Sequence, residues 1–91
     1  MIPVPRMDVR TRNFRGTMYL ARAEQSLELT EVAALVWRLL DGHRSVADLA
    51  KAVATEYAID YETAYTDCGE LVEALAQAGM LDITDAPPAR S

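Results

Sequence analysis

Few side chains in this sequence could perform catalysis or hold a metal. His43 is the only histidine and Cys68 the only cysteine, so neither has a second ligand at the spacing of a zinc site. No Ser/His/Asp set can be assembled, and no glycine-rich phosphate loop is present. Glu70 and Glu73 are three residues apart, which is typical of a solvated helix face. We therefore expect a protein without catalytic residues, metal or cofactor, and not an enzyme.

The charge is divided unevenly along the chain. The net charge is −5 over 91 residues, but residues 1–16 carry +3 and the other 75 residues carry −8. Between Lys51 and Arg90 there are eight acidic residues and no lysine or arginine. This half of the molecule would repel a phosphate backbone, which argues against a nucleic acid as partner.

Length and composition indicate one small domain. Hydrophobic residues make up 51% of the 91 residues, which is enough for a packed core. A single cysteine allows no internal disulfide and fits a reducing compartment. No apolar run approaches the roughly 18 residues of a spanning helix, and the first residues lack the apolar region of a signal peptide. We expect a monomeric cytoplasmic protein that does not associate with membranes.

The first third of the chain predicts strands. Pro3 and Pro5 fix φ and remove two backbone donors, so we expect residues 1–7 to be a flexible arm and any strand to begin after it. Alternating polarity or a high content of strand formers then marks three stretches, residues 8–12, 17–21 and 26–29. These stretches predict a three-stranded antiparallel meander.

The remainder of the chain predicts three helices. Thr30, Ser45 and Asp60 are suited to cap the three N-termini. Gly42 is expected to end the first helix in a left-handed cap, and Gly79 to end the third after about residue 78. Residues 80–83 should return as a short strand or extended segment. The expected domain is therefore residues 8–83, with a disordered tail at 84–91.

The third helix has three distinguishable faces. A seam spaced for core packing contains Tyr61, Ala64, Cys68, Leu71, Leu75 and Ala78, and Tyr57 is expected on the core face of the second helix. An adjacent apolar stripe contains Tyr65, Gly69, Val72 and Ala76, and an acidic face contains Glu62, Asp67, Glu70 and Glu73. A glycine inside a helix costs about 1 kcal/mol relative to alanine. Gly69 therefore indicates either a ligand that approaches the backbone or a tight helix crossing.

The meander leaves two edges open to another strand. The first strand is guarded by Pro5, Arg10 and Arg12, whereas the third strand has only Glu28 as a guard. In the third strand, Leu27 and Leu29 should face inward. An extended peptide could pair with this strand by strand addition. The alternative is that the arm or the tail covers the edge, and the residues alone leave both open.

The order of elements resembles a known family. GTMYL is followed by LELTEVAALVWRLLDGHRSVADLA and then YETAYTDCGELVEALAQAGML. These patterns, over roughly residues 8–83, resemble the PqqD-like family of RiPP recognition elements, small domains that bind the leader segment of ribosomally made precursor peptides. The resemblance implies an α+β, winged helix-turn-helix-like fold, with a three-stranded antiparallel sheet followed by three helices.

The resemblance also implies a site and partners. The leader would add as a strand beside the third strand, at Ser26, Leu27, Glu28 and Leu29, and lie against Tyr65, Asp67, Cys68, Gly69 and Val72 of the third helix. The partners would be the precursor peptide and a separate enzyme, such as a leader peptidase, cyclase or radical enzyme, as in split lasso-peptide maturation. The alternative is a winged-helix regulator that binds DNA, whose recognition helix would then carry acids and no cation.

Overall fold

A computed structural model of the protein describes residues 2–84, which form five strands and three helices. In chain order these are β1 (Ile2–Pro5), β2 (Arg10–Phe14), β3 (Thr17–Arg22), β4 (Gln25–Leu29), α1 (Glu31–Leu39), α2 (Val46–Tyr57), α3 (Tyr61–Gln77) and β5 (Leu81–Thr84). The strands make two antiparallel sheets, one in the order β2-β3-β4 and one of β1 with β5. The α+β class, the meander and the three helices are as predicted. The β1–β5 pair is additional, and residues 85–91 of the expected tail lie outside the described residues.

The prediction that no strand would begin before Pro5 is wrong. β1 pairs with β5 so that Pro3 lies opposite Ile83 and Pro5 opposite Leu81. Antiparallel partners alternate between hydrogen-bonded and non-bonded pairs, and the bond from the Arg6 N–H to the Met80 carbonyl continues the bonded series. Both prolines therefore occupy non-bonded positions, where a missing N–H costs no ladder bond.

Each helix begins at the residue that the sequence indicates. The Thr30 hydroxyl accepts from the Ala33 N–H at 3.2 Å, and an Asp60 carboxylate oxygen accepts from the Thr63 N–H at 3.1 Å. Ser45 begins α2 with a complete capping box. The prediction for the end of α1 is wrong: the helix ends at Leu39 with extended Leu40 as its cap, and Gly42 takes its positive φ of 83° in the bend that follows.

The core lies between the three helices and one face of the three-stranded sheet. Its fully buried side chains come from β3, all three helices and β5, and include Leu20, Val36, Leu49, Leu75 and Leu81. None of the three helices within residues 2–84 has the length and apolarity needed to span a bilayer.

Asp8 connects the two sheets. Its carboxylate accepts from the Arg22 Nε of β3 at 2.9 Å and from the Arg6 Nε at 3.3 Å, and Arg6 also lies 3.6 Å from the carboxylate of Asp82 in β5. The hydrogen bond from Arg22 is the main reason that the pKa of Asp8 lies below its usual value. These contacts hold the β1–β5 pair beside β3.

Candidate functional site

The outer edge of β4 is unpaired in the part of the chain that the structure describes. β4 is the last strand in the order β2-β3-β4, and β1 pairs with β5 instead. The alternative that the amino-terminal segment covers this edge is therefore wrong for residues 2–5. An edge of this kind presents backbone donors and acceptors to any extended chain that can reach it.

The register shows which backbone groups face outward. β3 and β4 are joined by a two-residue turn, and Arg22 lies opposite Gln25. The pair that closes such a turn is hydrogen-bonded, and bonded and non-bonded pairs alternate from there. Gln25, Leu27 and Leu29 therefore bond to β3. Ser26 and Glu28 direct their N–H and carbonyl groups away from the sheet.

The side chains of β4 alternate as the sequence predicts. Leu29 is buried in the core and Leu27 is half-buried against it, whereas Ser26 and Glu28 are exposed. An added strand would therefore have one face against Leu27 and the apolar interior, and its other face in water. Such an edge can distinguish between side chains on alternate positions of a peptide.

A cavity of about 400 Å³ lies where β4 ends and α1 begins. Glu28, Leu29 and Thr30 line one wall, and Tyr57 at the end of α2 lies across from them. Met18 and Ala34 add apolar surface to the lining. The β2–β3 hairpin also lines the cavity, through Asn13, Gly16 and Thr17, so the cavity lies at the end of the sheet beside the last residues of β4.

Beyond the cavity lies an apolar surface that we call the tyrosine surface, formed by Tyr57, Ile59, Tyr61 and Tyr65. All four side chains are more than a third exposed, and Tyr65 is 45% exposed. The rings of Tyr61 and Tyr65 lie 6.0 Å apart and, with Glu62 and Thr66, line a second depression.

The assignment of Tyr57 and Tyr61 to the core is wrong. The 3.6-residue period places Tyr57 on the core face of α2 and Tyr61 on the seam of α3. Each lies at the end of its helix, beyond the neighbouring elements that cover the middle. The sequence does contain a signal for this surface, because three of its four tyrosines occur within nine residues around the α2–α3 turn.

The predicted wall residues of α3 fall into separate groups. Cys68 and Val72 are buried in the core, 1% and 0% exposed, so neither offers its side chain to a ligand at the surface. Burial raises the pKa of the Cys68 thiol, and the neighbouring Asp67 carboxylate acts in the same direction. The thiol is therefore neutral at physiological pH and acts as a small apolar group.

Tyr65, Gly69 and Asp67 do not share one flank of α3. At about 100° per residue, Tyr65 and Gly69 lie roughly 40° apart around the axis, whereas Asp67 lies roughly 160° from Tyr65. The buried residues of the helix lie between these two flanks. A peptide lying along one side of α3 would contact either Tyr65 and Gly69 or Asp67, but not all three.

The surroundings of Gly69 contradict one of the two interpretations of this residue, the tight helix crossing. A Cβ built on Gly69 would meet nothing within 4 Å. The tight helix crossing is therefore wrong. The backbone of α3 at Gly69 is open on the flank that also carries Tyr65, which is continuous with the tyrosine surface.

Comparison with known proteins agrees with this architecture. The family model of coenzyme PQQ synthesis protein D, PqqD, matches residues 8–81. The chain belongs to the PqqD family. This PqqD-family protein is also similar to a PqqA binding protein of Xanthomonas campestris pv. campestris (strain B100), with 33% identity over 81 residues that make up 87% of this chain and 88% of the relative.

Two solved structures share the fold and part of the sequence of this PqqD-family protein. A lasso peptide synthetase B1, solved in complex with its leader peptide, is 31% identical with a TM-score of 0.77, covering 91% of this chain and 100% of the other. The PqqD part of Methylobacterium extorquens PqqCD, described as a stand-alone RiPP recognition element, is 27% identical with a TM-score of 0.75, covering 90% and 89%. The resemblance seen in the sequence is confirmed.

Proposed function

We propose that this protein binds the leader segment of a ribosomally made precursor peptide as an added strand on β4 and presents it to a separate protease or modifying enzyme. The observation that carries the proposal is the unpaired outer edge of β4 with the outward backbone groups of Ser26 and Glu28. The relatives that bind a leader peptide or PqqA support it. The protein's contribution is binding and orientation, and the bond-making chemistry belongs to the enzyme.

The proposed path runs from β4 to the first half of α3. Main-chain hydrogen bonds to Ser26 and Glu28 supply affinity, while Leu27, the cavity at Tyr57 and the tyrosine surface select the side chains of the leader. Along α3 we place the leader on the flank of Tyr65 and Gly69, because this flank continues the exposed apolar surface. Asp67 faces away from this path, whereas Glu62 lines the depression beside Tyr61 and Tyr65, and Glu73 lies about 40° from Gly69 around the helix axis.

The edge of β2 is a weaker site for the same peptide. It is equally unpaired among residues 2–84, and Pro5, which was expected to guard it, lies in β1 instead. All five residues of β2 are exposed, so no helix borders this edge. A strand added there would gain backbone bonds, but Phe14 would be its one apolar neighbour on β2, and the charges of Arg10 and Arg12 disfavour pairing with strands of other proteins.

The function is tested by titrating the labelled protein with synthetic leader segments of candidate precursor peptides, following backbone amide signals. We expect the largest shifts at Ser26–Leu29, at Tyr57 and in the first half of α3. Shifts confined to β2, β5 or the far end of α3 would reject strand addition at β4.

Gly69 provides a prediction that combines stability with binding. Gly69→Ala should raise the free energy of unfolding by about 1 kcal/mol, because alanine is the better helix former and its Cβ meets no neighbour. Gly69→Leu should fold but weaken leader binding at least about tenfold, because the side chain projects onto the proposed path. Urea denaturation and calorimetric titration measure the two effects.

Ala74→Leu is the matched control for Gly69→Leu. Ala74 is exposed on the opposite flank of α3, so the same side chain is added where no peptide is expected. Its leader affinity should equal that of the unchanged protein. If Ala74→Leu weakens binding and Gly69→Leu does not, the leader lies on the flank of Asp67 and Glu70, and a leader with lysine or arginine would be the expected ligand.

The winged helix-turn-helix arrangement implied by the sequence is compatible with α2, α3 and the β2–β3 hairpin, and we propose that it serves peptide binding rather than DNA binding. The exposed charged residues of α3 are Glu62, Asp67, Glu70 and Glu73, whereas a DNA-reading helix needs cations for phosphate contacts. We further propose that the protein works in the cytoplasm, where the ribosome releases the precursor.

A further inference from the structure

The β2–β3 hairpin carries a surface that the proposed leader site does not use. Met18 and Leu20 of β3 face the core, so Tyr19 and its cross-strand partner Arg12 face outward. Side chains alternate along a strand, so Arg10 and Phe14 share that outward face with Arg12. The turn adds Arg15, whose guanidinium lies 5.3 Å from the centre of the Phe14 ring. We call these four residues, Arg10, Arg12, Phe14 and Arg15, the hairpin surface.

The arginines of the hairpin surface have no acidic partner within residues 2–84. The ion pairs of this part of the chain involve Arg6, Arg22 and Arg44, and none involves Arg10, Arg12 or Arg15. Arg6 and Arg22 bind Asp8 and hold the two sheets together. Arg6 and Arg22 thus stabilise the fold. The side chains of Arg10, Arg12 and Arg15 are exposed to solvent.

Phe14 is not explained by protection of the edge. Charged side chains on an edge strand prevent aggregation, and three arginines would suffice for this. A phenylalanine that is 61% exposed beside them has the opposite effect unless a partner covers it. Aromatic side chains and arginines are enriched where protein interfaces concentrate their binding energy.

We propose that the hairpin surface docks the enzyme that acts on the bound leader, through an acidic patch with an apolar recess for Phe14. This inference rests on the proposed function. Charge complementarity selects the occupant: residues 1–16 carry +3 while the rest of the chain carries −8, so an acidic surface is attracted to the hairpin and repelled elsewhere. The arginines can bind its carboxylates through paired hydrogen bonds.

The position of the hairpin suits this role. β2 and β4 are the two outer strands of one three-stranded sheet, so at a strand spacing of about 4.8 Å they lie about 10 Å apart. An enzyme held at β2 is therefore brought beside the leader held at β4 without competing for the same edge. The rigid sheet between the two sites fixes their relative orientation.

The test uses the full chain, a candidate precursor peptide, and the purified protease or modifying enzyme that acts on that precursor. Arg12→Glu and Phe14→Thr should each weaken the binding of the enzyme, measured by calorimetry without leader, at least about tenfold. Both should lower the rate of precursor processing at limiting protein by a similar factor. Leader affinity should stay within about twofold of the unchanged protein, because β4 is not altered.

Lys51→Glu is the matched control, because it makes the same change of charge at an exposed position of α2. It should leave enzyme binding unchanged. Equal effects of Lys51→Glu and Arg12→Glu, or no effect of either hairpin variant, would overturn the docking surface while leader binding persists. Enzyme binding through the hairpin by a chain that does not bind the leader would instead support the docking surface and overturn the proposed function.

Two further measurements exclude other occupants of the hairpin surface. Sedimentation should show the same mass for the unchanged chain and for Phe14→Thr; a dimer that Phe14→Thr converts to monomer would overturn the proposal in favour of a second copy. A fluorescent DNA duplex at low salt should show no difference between the unchanged chain and Arg12→Glu. DNA binding that Arg12→Glu abolishes would overturn the proposal in favour of a nucleic acid.

Discussion

Glu28→Pro should abolish leader binding while the protein remains folded. The N–H of Glu28 points away from β3, so proline removes no bond of the sheet, and proline is tolerated on an edge strand in this orientation. The substitution removes one donor from the binding edge and places a ring where the leader backbone must lie. We expect affinity to fall by at least about 100-fold, well beyond the roughly 1 kcal/mol of one hydrogen bond. Calorimetric titration with the leader measures this.

Two companion variants distinguish the loss of the Glu28 N–H from the loss of its carboxylate and from unfolding of the sheet. Glu28→Ala removes the same carboxylate but keeps the N–H, so it should bind the leader nearly as well as the unchanged protein. Leu27→Pro removes an N–H that bonds to β3 and should unfold the sheet, which circular dichroism detects. If Glu28→Pro binds the leader normally, the leader does not pair with β4 and the proposed function fails.

Leu20→Ala should destabilise the protein by about 2–5 kcal/mol. Leu20 is fully buried on β3, opposite Leu27 and directly over the helices, so the truncation leaves a cavity in the core. A domain of this size has a free energy of unfolding of about 5–15 kcal/mol, so the variant loses a large part of it. Urea denaturation, extrapolated linearly to zero denaturant, measures the change.

Ile83→Ala is the comparison for Leu20→Ala. Ile83 lies on β5 and is 39% exposed, so its truncation loses less buried area and should cost clearly less. Similar losses for both variants would show that β5 contributes as much to the core as β3 does. At low denaturant, the folded fraction of Leu20→Ala should still bind the leader with unchanged affinity, because its β4 edge is intact.

The pairing of β1 with β5 explains why no other described strand covers the outer edge of β4. In many small proteins a terminal segment would complete an open sheet, but here β1 and β5 pair with each other, and Asp8 holds the pair beside β3. Among residues 2–84 the sheet therefore keeps two unpaired edges with different surroundings. β4 borders a cavity and the tyrosine surface, which suits a peptide with selected side chains, whereas β2 carries arginines and Phe14 in water.

The sequence by itself determined the features that depend on neighbouring residues. The three helix N-caps were predicted at Thr30, Ser45 and Asp60, because a cap needs only a side-chain oxygen and an N–H two or three residues further on. The inward and outward residues of β4 were predicted from strict alternation. The resemblance to the PqqD-like family was also visible, since it depends on the order of the elements and on short patterns within them.

Only the tertiary structure decided which surfaces are covered. Residues 2–5 pair with residues 81–84, and nothing in a proline-containing segment of four residues indicates so distant a partner. Periodicity grouped Tyr57 and Tyr61 with the core, because it defines the faces of a helix but not the extent of the elements that pack on them. It was the family resemblance that combined Asp67 with Tyr65 in one wall, although periodicity already places them on different faces. The place of β4 at the edge of the sheet and the alternation of its side chains were predicted correctly. The apolar surface that we propose for the leader could be chosen only once the packing of α2 and α3 was known.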